Sequence, residues 1–258
     1  MSLLNVSLVQ THLFWEDEAK NLSHFDELIN QITQTDIIIL PEMFTTGFSM
    51  RPDLFASVNG NSVQQKMKKW AMQHNSAICG SAMMSDNLKY YNRFYWVEPS
   101  NKVLHYDKAH LFRMGKEHEH YTAGKKQVLI NYKGFKIAPF ICYDLRFPVW
   151  LKRTRKFNYD VMIIVANWPE RRSQHWKVLL QARAIENQCF LFAVNRTGND
   201  GNGVSHSGNS MIIKPTGEIV WHGTNPTEIV TKEIDLTEIW QYRQSFPVEL
   251  DDDMFEIL

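Results

Sequence analysis

The sequence predicts an α/β fold of two sheets covered by helices. Three observations lead there. Apolar runs of strand length alternate with segments of helical period, about ten such runs stand against only a few helices, and several runs are apolar without interruption. An unbroken apolar strand is one covered on both faces, and helices on the outer faces of the sheets supply that cover.

Residues 4–9 alternate apolar and polar as a strand does, and Ala19, Leu22, Phe25, Leu28, Ile29 and Ile32 then recur at helical spacing. Ile37, Ile38, Ile39 and Leu40 form a buried strand run that stops at Pro41-Glu42. Val63, Met67, Trp70 and Ala71 mark a second helix, and residues 77–82 the next strand. The runs 94–97 and 103–106 flank Glu98-Pro99-Ser100-Asn101, whose Pro and Asn form turns, so a hairpin is expected. Residues 108–126 are polar, rich in His and Gly and without a clear period, which reads as a long loop of the kind that carries function.

Residues 135–141 form an apolar strand ending at Cys142, 148–157 a short helix, 161–165 a buried strand, 173–188 a long helix and 190–194 a strand. The runs 211–213, 219–221 and 229–234, separated by Pro215-Thr216-Gly217 and residues 223–226, predict an antiparallel meander. Beyond Trp240 the chain is polar and acidic, and residues 241–258 are expected to form an arm over the surface or onto a partner. With no linker, repeat or low-complexity segment, one domain over residues 1–258 is expected.

Lys+Arg and Asp+Glu both total 28, so no charge imbalance argues for nucleic acid, a membrane surface or a polyanion, and a small-molecule substrate is favoured. Three widely spaced cysteines without a CxxC argue against a disulfide framework and against zinc. That usage, the lack of an apolar leader and the absence of any run near ~18 apolar residues lead us to expect a cytoplasmic protein. Zero net charge and 12% aromatic residues are compatible with a buried interface between subunits.

Three polar residues stand directly after strand runs: Glu42, Lys108 and Cys142. Taken singly, the Cys reads as a small buried hydrophobe, the Glu as a turn carboxylate and the Lys as a solvated charge. Taken together they change meaning, because ligand sites in α/β folds gather at the carboxyl ends of strands. A carboxylate, an ammonium and a thiol meeting there supply a base, an oxyanion stabiliser and a nucleophile, the parts that amide cleavage needs.

Along nearly its full length the chain resembles the nitrilase superfamily of carbon–nitrogen hydrolases. Leu40-Pro41-Glu42-Met43-Phe44, Tyr106-Asp107-Lys108-Ala109-His110-Leu111-Phe112 and Ile141-Cys142-Tyr143-Asp144-Leu145-Arg146-Phe147-Pro148 match its three motifs in order. Ala166-Asn167-Trp168-Pro169, Gln181 to Gln188, Asn195-Arg196-Thr197-Gly198 and Pro215-Thr216-Gly217-Glu218 agree as well, and these details resemble the bacterial ω-amidase branch. The resemblance implies a four-layer α–β–β–α sandwich, a homodimer and no cofactor. It also implies a 2-oxo dicarboxylic acid monoamide, 2-oxoglutaramate or 2-oxosuccinamate, as substrate. For the site it implies Cys142 as nucleophile, Glu42 as general base, Lys108 and the Tyr143 N–H facing the oxyanion, and Glu117, seven residues before Gly124, as a second glutamate beside the Cys. Lys108 would favour the thiolate while Glu42 would oppose it and can accept its proton.

Several residues carry alternatives. Glu119 competes with Glu117 for that role, and Glu117-His118-Glu119-His120 lacks the third convergent ligand that a metal site requires, so no metal is expected. Arg146 offers a planar fork either to a substrate carboxylate or to Asp144 or another acid as a brace, and the brace is favoured. Phe44, Phe48 and Trp168 are candidate walls of a small pocket, and Cys79 and Cys189 are assigned to the core. Ser205-His206-Ser207 is not a GxSxG elbow. Competing activities are nitrile or N-carbamoyl amide hydrolysis, a Cys–His protease using His110 or His120, and a non-catalytic binding module on the same fold.

Overall fold

The computed structural model describes residues 3–58, 61–253, 255 and 256. In chain order the first half is β1 (Leu3–Gln10), α1 (Glu18–Ile29), β2 (Ile37–Ile39), α2 (Pro52–Phe55), β3 (Ser57–Val58), α3 (Asn61–His74), β4 (Ala77–Asp86), β5 (Lys89–Val97), β6 (Val103–Asp107) and α4 (Glu117–His120). The second half is β7 (Ile130–Tyr132), β8 (Phe135–Ile141), α5 (Pro148–Leu151), β9 (Val161–Ala166), α6 (Ser173–Asn187), β10 (Phe190–Asn195), β11 (Thr197–Asn199), β12 (Ser205–Ser207), β13 (Met211–Ile213), β14 (Ile219–His222), β15 (Glu228–Asp235) and α7 (Leu236–Ser245).

Two mixed sheets result. One runs β15-β1-β2-β4-β5-β6 with β3 also on β4, and the other β14-β13-β10-β9-β8-β7. The period of two in each strand decides what lies on either side. Ile37, Ile39, Cys79, Phe94 and Trp96 turn into a core shared with Ile137, Ile163 and Phe192 of the second sheet. Their neighbours Ile38, Ile78, Tyr95 and Val97 turn outward onto Phe25 and Ile29 of α1 and Met67 and Trp70 of α3. The second sheet is covered by Trp176, Leu180 and Ala184 of α6. The order helix, sheet, sheet, helix is therefore the four-layer sandwich.

The expected meander is only half formed. β13 and β14 pair antiparallel in the second sheet, but β15 crosses to the first and pairs antiparallel with β1 from Leu3↔Asp235 to Gln10↔Glu228. Periodicity reports that a strand is half buried and not which sheet it joins. The helix expected over 148–157 ends at Leu151, where Arg153 is drawn off to Asn187: its N–H donates to Oδ1 at 2.7 Å and its Nε to the carbonyl at 2.9 Å. Residues 108–126 are not wholly loop, since they hold a 3₁₀ turn at Arg113–Gly115 and α4. Within the described part of the tail, Arg243 pairs with Asp160 and Glu249 with Arg153. No helix among the described residues is long and apolar enough to cross a membrane.

Candidate active site

Glu42 follows β2, Lys108 follows β6 and Cys142 follows β8, and the two facing sheets bring these strand ends together. Lys108 Nζ donates to Glu42 Oε1 at 2.9 Å and to both oxygens of Glu117 at 3.0 and 2.9 Å, all three side chains being buried. Asn92 of β5 spans the carboxylates, its Nδ2 donating to Glu42 at 2.7 Å and to Glu117 at 3.2 Å, while its Oδ1 accepts from Ser81. Glu42 Oε2 accepts the Asn167 N–H at 2.7 Å, and Glu117 Oε2 the Phe112 N–H at 2.6 Å. Each carboxylate is thus held by at least three donors, which fixes its position before any ligand arrives.

Glu117 reaches the cluster from α4 because the loop turns back tightly. Gly124 N–H donates to the Lys108 carbonyl, and a Cβ on Gly124 would lie 2.1 Å from the Asp107 oxygen, so only glycine fits this crossing. Of Glu117-His118-Glu119-His120, Glu117 alone turns inward and the other three are exposed.

Cys142 sits at φ +46°, a left-handed conformation costly for a residue with a Cβ, between β8 and the 3₁₀ turn Cys142–Arg146. The neighbours that hold it there are plain. Asp144 accepts from the Ile141 N–H, the His110 N–H and the Tyr106 hydroxyl, and Arg183 of α6 donates twice to the Leu145 carbonyl. The Tyr143 N–H lies in the first turn of that helix, where amides have no intrahelical partner.

The electrostatics favour a resting thiol. Burial pushes the Cys142 pKa well up, Glu42 adds to the rise through charge and a hydrogen bond, and the opposing pull of Lys108 is outweighed. Burial also raises Glu117 against the pull of Lys108, so this carboxyl keeps its proton to higher pH than usual. Burial alone would lower Lys108, yet Glu117 and Glu42 more than offset it and hold the ammonium charged. The arrangement therefore offers a protonated thiol, a carboxylate able to receive its proton and a fixed cation.

Above the cluster opens a cleft whose lining includes Cys142, Tyr143, Arg146, Trp168, Phe48 and Met114. Phe48 lies under Lys108, its ring centre 5.1 Å from Nζ. Phe44 does not reach the cleft. It packs edge-on to Phe25 in the outer core, because side chains two apart on an irregular turn need not share a face. Arg146 does not brace Asp144, whose oxygens are filled as above. It stacks instead on Trp168 at 4.7 Å and approaches His175 at 3.1 Å. Cys79 and Cys189 are buried in the core.

Asn92, Asn167, Arg171, Arg172 and His206 carry no role predicted from the sequence. Asn167 obeys the rule that located the others, since it directly follows β9. Its Nδ2 donates to the Glu42 carbonyl at 2.6 Å, and its buried Oδ1 has no partner among the described residues. His206 is buried in the cleft wall with its pKa pushed down to about 4, chiefly by burial and then by Arg196, so it is neutral at neutral pH. His110 is committed to Asp144 and stacked on Phe147, and His120 is exposed, so neither is arranged as a Cys–His pair with Cys142.

A two-sheet sandwich with a thiol, two carboxylates and an ammonium gathered at its strand ends is equipped for acyl transfer. A family model described as carbon-nitrogen hydrolase matches residues 5–244, and the chain belongs to that family, within the nitrilase superfamily. It is similar to Omega-amidase YafV of Escherichia coli K12, 43% identical over 255 residues that cover 98% of each chain. It is also similar to the 2-oxoglutaramate amidase of Bacillus subtilis 168, 36% identical over 94% of this chain and 95% of that one. Among solved structures it resembles XC1258 from Xanthomonas campestris, a CN-hydrolase superfamily protein with an arsenic adduct in its active site. That match has a TM-score of 0.97 and 38% identity, and covers all of both chains.

Proposed function

We propose that the protein is an ω-amidase that hydrolyses 2-oxo dicarboxylic acid monoamides such as 2-oxoglutaramate and 2-oxosuccinamate to the 2-oxo acid and ammonia. The observation that carries this reading is the single buried cluster of Cys142, Glu42, Lys108 and Glu117 beneath a cleft bearing Arg146. The names of the Escherichia coli and Bacillus subtilis relatives support the substrate class. The arsenic adduct in the Xanthomonas protein suits a thiol-bearing site, since arsenic bonds readily to sulfur.

In this mechanism Glu42 takes the Cys142 proton as sulfur attacks the amide carbonyl carbon. Lys108 and the Tyr143 N–H stabilise the tetrahedral oxyanion. The proton on Glu42 passes to the departing nitrogen, the C–N bond breaks, ammonia leaves and a thioester remains. Glu42 then draws a proton from water, hydroxide adds to the thioester, and the acid departs with the thiol restored. Glu117 fixes the Lys108 ammonium by its bidentate contact. Arg146 holds the substrate carboxylate, while Phe48 and Trp168 limit the width of the cleft.

Hydroxylamine tests the covalent step. It should intercept the thioester so that hydroxamate appears, acid falls and ammonia release continues undiminished. Absence of both hydroxamate and an acylated Cys142 peptide would remove this mechanism in favour of direct attack by water. A nitrile, an N-carbamoyl amide and 2-oxoglutaramate run side by side check the reaction class. We also propose one domain over residues 1–258, acting as a cytoplasmic homodimer in which residues 241–258 contribute to the contact. Exposed Phe246 and Leu250 support that contact, and sedimentation of the full chain against one ending at residue 240 tests it.

A further inference from the structure

Arg172 closes the 3₁₀ turn Glu170–Arg172 just before α6 and lines the same cleft as Cys142. Its backbone is fixed, since its carbonyl accepts from Trp168 Nε1 at 2.8 Å. Its guanidinium is held only weakly: Nη2 lies 3.6 Å from Met114 Sδ, and Cζ sits 5.4 Å over the Phe112 ring. Nη1 is closed off from solvent and has no hydrogen-bond partner among the described residues. A buried guanidinium N–H without an acceptor is costly, and the cost is lifted if the acceptor arrives with a ligand.

The surroundings give that acceptor a charge. Arg146 and Arg171 line the same cleft, and Asp200 is the one acid among its described lining residues. Asp200 Oδ1 is already engaged by the N–H groups of Asn202 and Val204. Burial lowers the pKa of Arg172, and Arg171 and Arg146 lower it further, a mutual repulsion that a bound anion would relieve.

We propose that Arg172 is a specificity-determining residue. Its guanidinium swings off the Phe112 ring to join Arg146 on the substrate carboxylate, at the end remote from the scissile amide, so that the cleft selects carboxylate-bearing amides over neutral ones of equal length. This deepens the ω-amidase reading and rests on it. Phe112 and Met114 hold the fork too weakly to prevent that turn and do not neutralise it, and pairing with the carboxylate supplies the missing acceptor.

Turnover of 2-oxoglutaramate and of neutral pentanamide by wild type, Arg172→Gln and Arg172→Lys decides the matter. Arg172→Gln should lower kcat/KM for 2-oxoglutaramate by about ten- to hundredfold, mainly through KM, and by several-fold less for pentanamide. Arg172→Lys should recover part of the difference because it keeps the charge without the fork. Equal losses on both amides would make Arg172 a structural brace, and no loss on either would make it a bystander; both overturn the proposal. Calorimetric titration of 2-oxoglutarate into the full-length proteins tests the subsite without turnover. Weakening of about tenfold or more in Arg172→Gln supports it, whereas undetectable binding to wild type or equal binding to both overturns it. Wild type that binds 2-oxoglutarate but leaves 2-oxoglutaramate uncleaved would sink the ω-amidase reading while leaving the anion subsite standing.

Discussion

Lys108 and Arg172 are both cations at one cleft, and they are treated in opposite ways. Lys108 is buried with two carboxylates within 3.0 Å, while Arg172 keeps a buried nitrogen with no partner among the described residues. The charged groups on the floor of the cleft are paired before any ligand enters, and those of its upper wall are not. Groups that act on a transition state gain from being fixed in advance, whereas groups that recognise a ligand can leave their last hydrogen bond for the ligand to fill.

The largest expected effect falls on the floor. Cys142→Ala should abolish turnover, a loss on the order of 10⁴-fold or more, with the far-ultraviolet circular dichroism unchanged. Cys79→Ala and Cys189→Ala should remain active with slightly lowered Tm, since each leaves a small void in the core. Comparable turnover in the Cys142 variant would end the distinction between floor and wall.

Next come Glu42→Gln and Lys108→Met, which should lower kcat by about 10²- to 10³-fold with little change in KM. A loss confined to KM would turn the floor into a second recognition surface. Glu117→Gln should cost less, roughly 10- to 100-fold, because it acts through Lys108. Glu119→Gln should be close to wild type, as that side chain is exposed. On the wall, Arg146→Gln should raise KM for 2-oxoglutaramate about tenfold and leave kcat within a few-fold.

The floor was far more readable in the sequence than the wall, for a physical reason. Glu42, Lys108 and Cys142 each follow an apolar strand run, and the end of a strand is a location that periodicity reports. Asn167 follows β9 in the same way and could have been found by the same rule. Arg171 and Arg172 lie in a short turn before α6, where two consecutive arginines look like solvated charges, and only the tertiary structure turns them into the cleft. Phe44 shows the converse, a residue two places from the motif glutamate that the turn directs into the opposite face. The helical period located α1, α3 and α6, yet nothing in the β15 pattern says that it leaves its neighbours to pair with β1.

The smallest effect concerns pH and tests whether the wall owes its charge to arginine alone. His206 stands in the cleft wall with its pKa lowered to about 4 by burial and by Arg196. Down to about pH 5 it stays neutral, and the arginines do not titrate in that range. The KM for 2-oxoglutaramate should therefore be flat from about pH 5 to 8, while kcat varies with the groups of the floor. A midpoint in KM near 6.5, abolished by His206→Gln, would show that the histidine shares in recognition. Stability should nonetheless register the same residue. Below pH 6.5 the unfolded chain binds a proton on His206 that the folded chain refuses, so the stabilising difference is complete above that pH and is lost as pH falls from 6.5 toward 4. The shift is worth about 3 kcal/mol at most. Urea unfolding of wild type and His206→Gln at pH 7.5 and pH 4.5 reads it directly. The gap between the two proteins should narrow or reverse at the lower pH, and a gap independent of pH would mean that His206 is solvated and that the wall is more open than the structure has it.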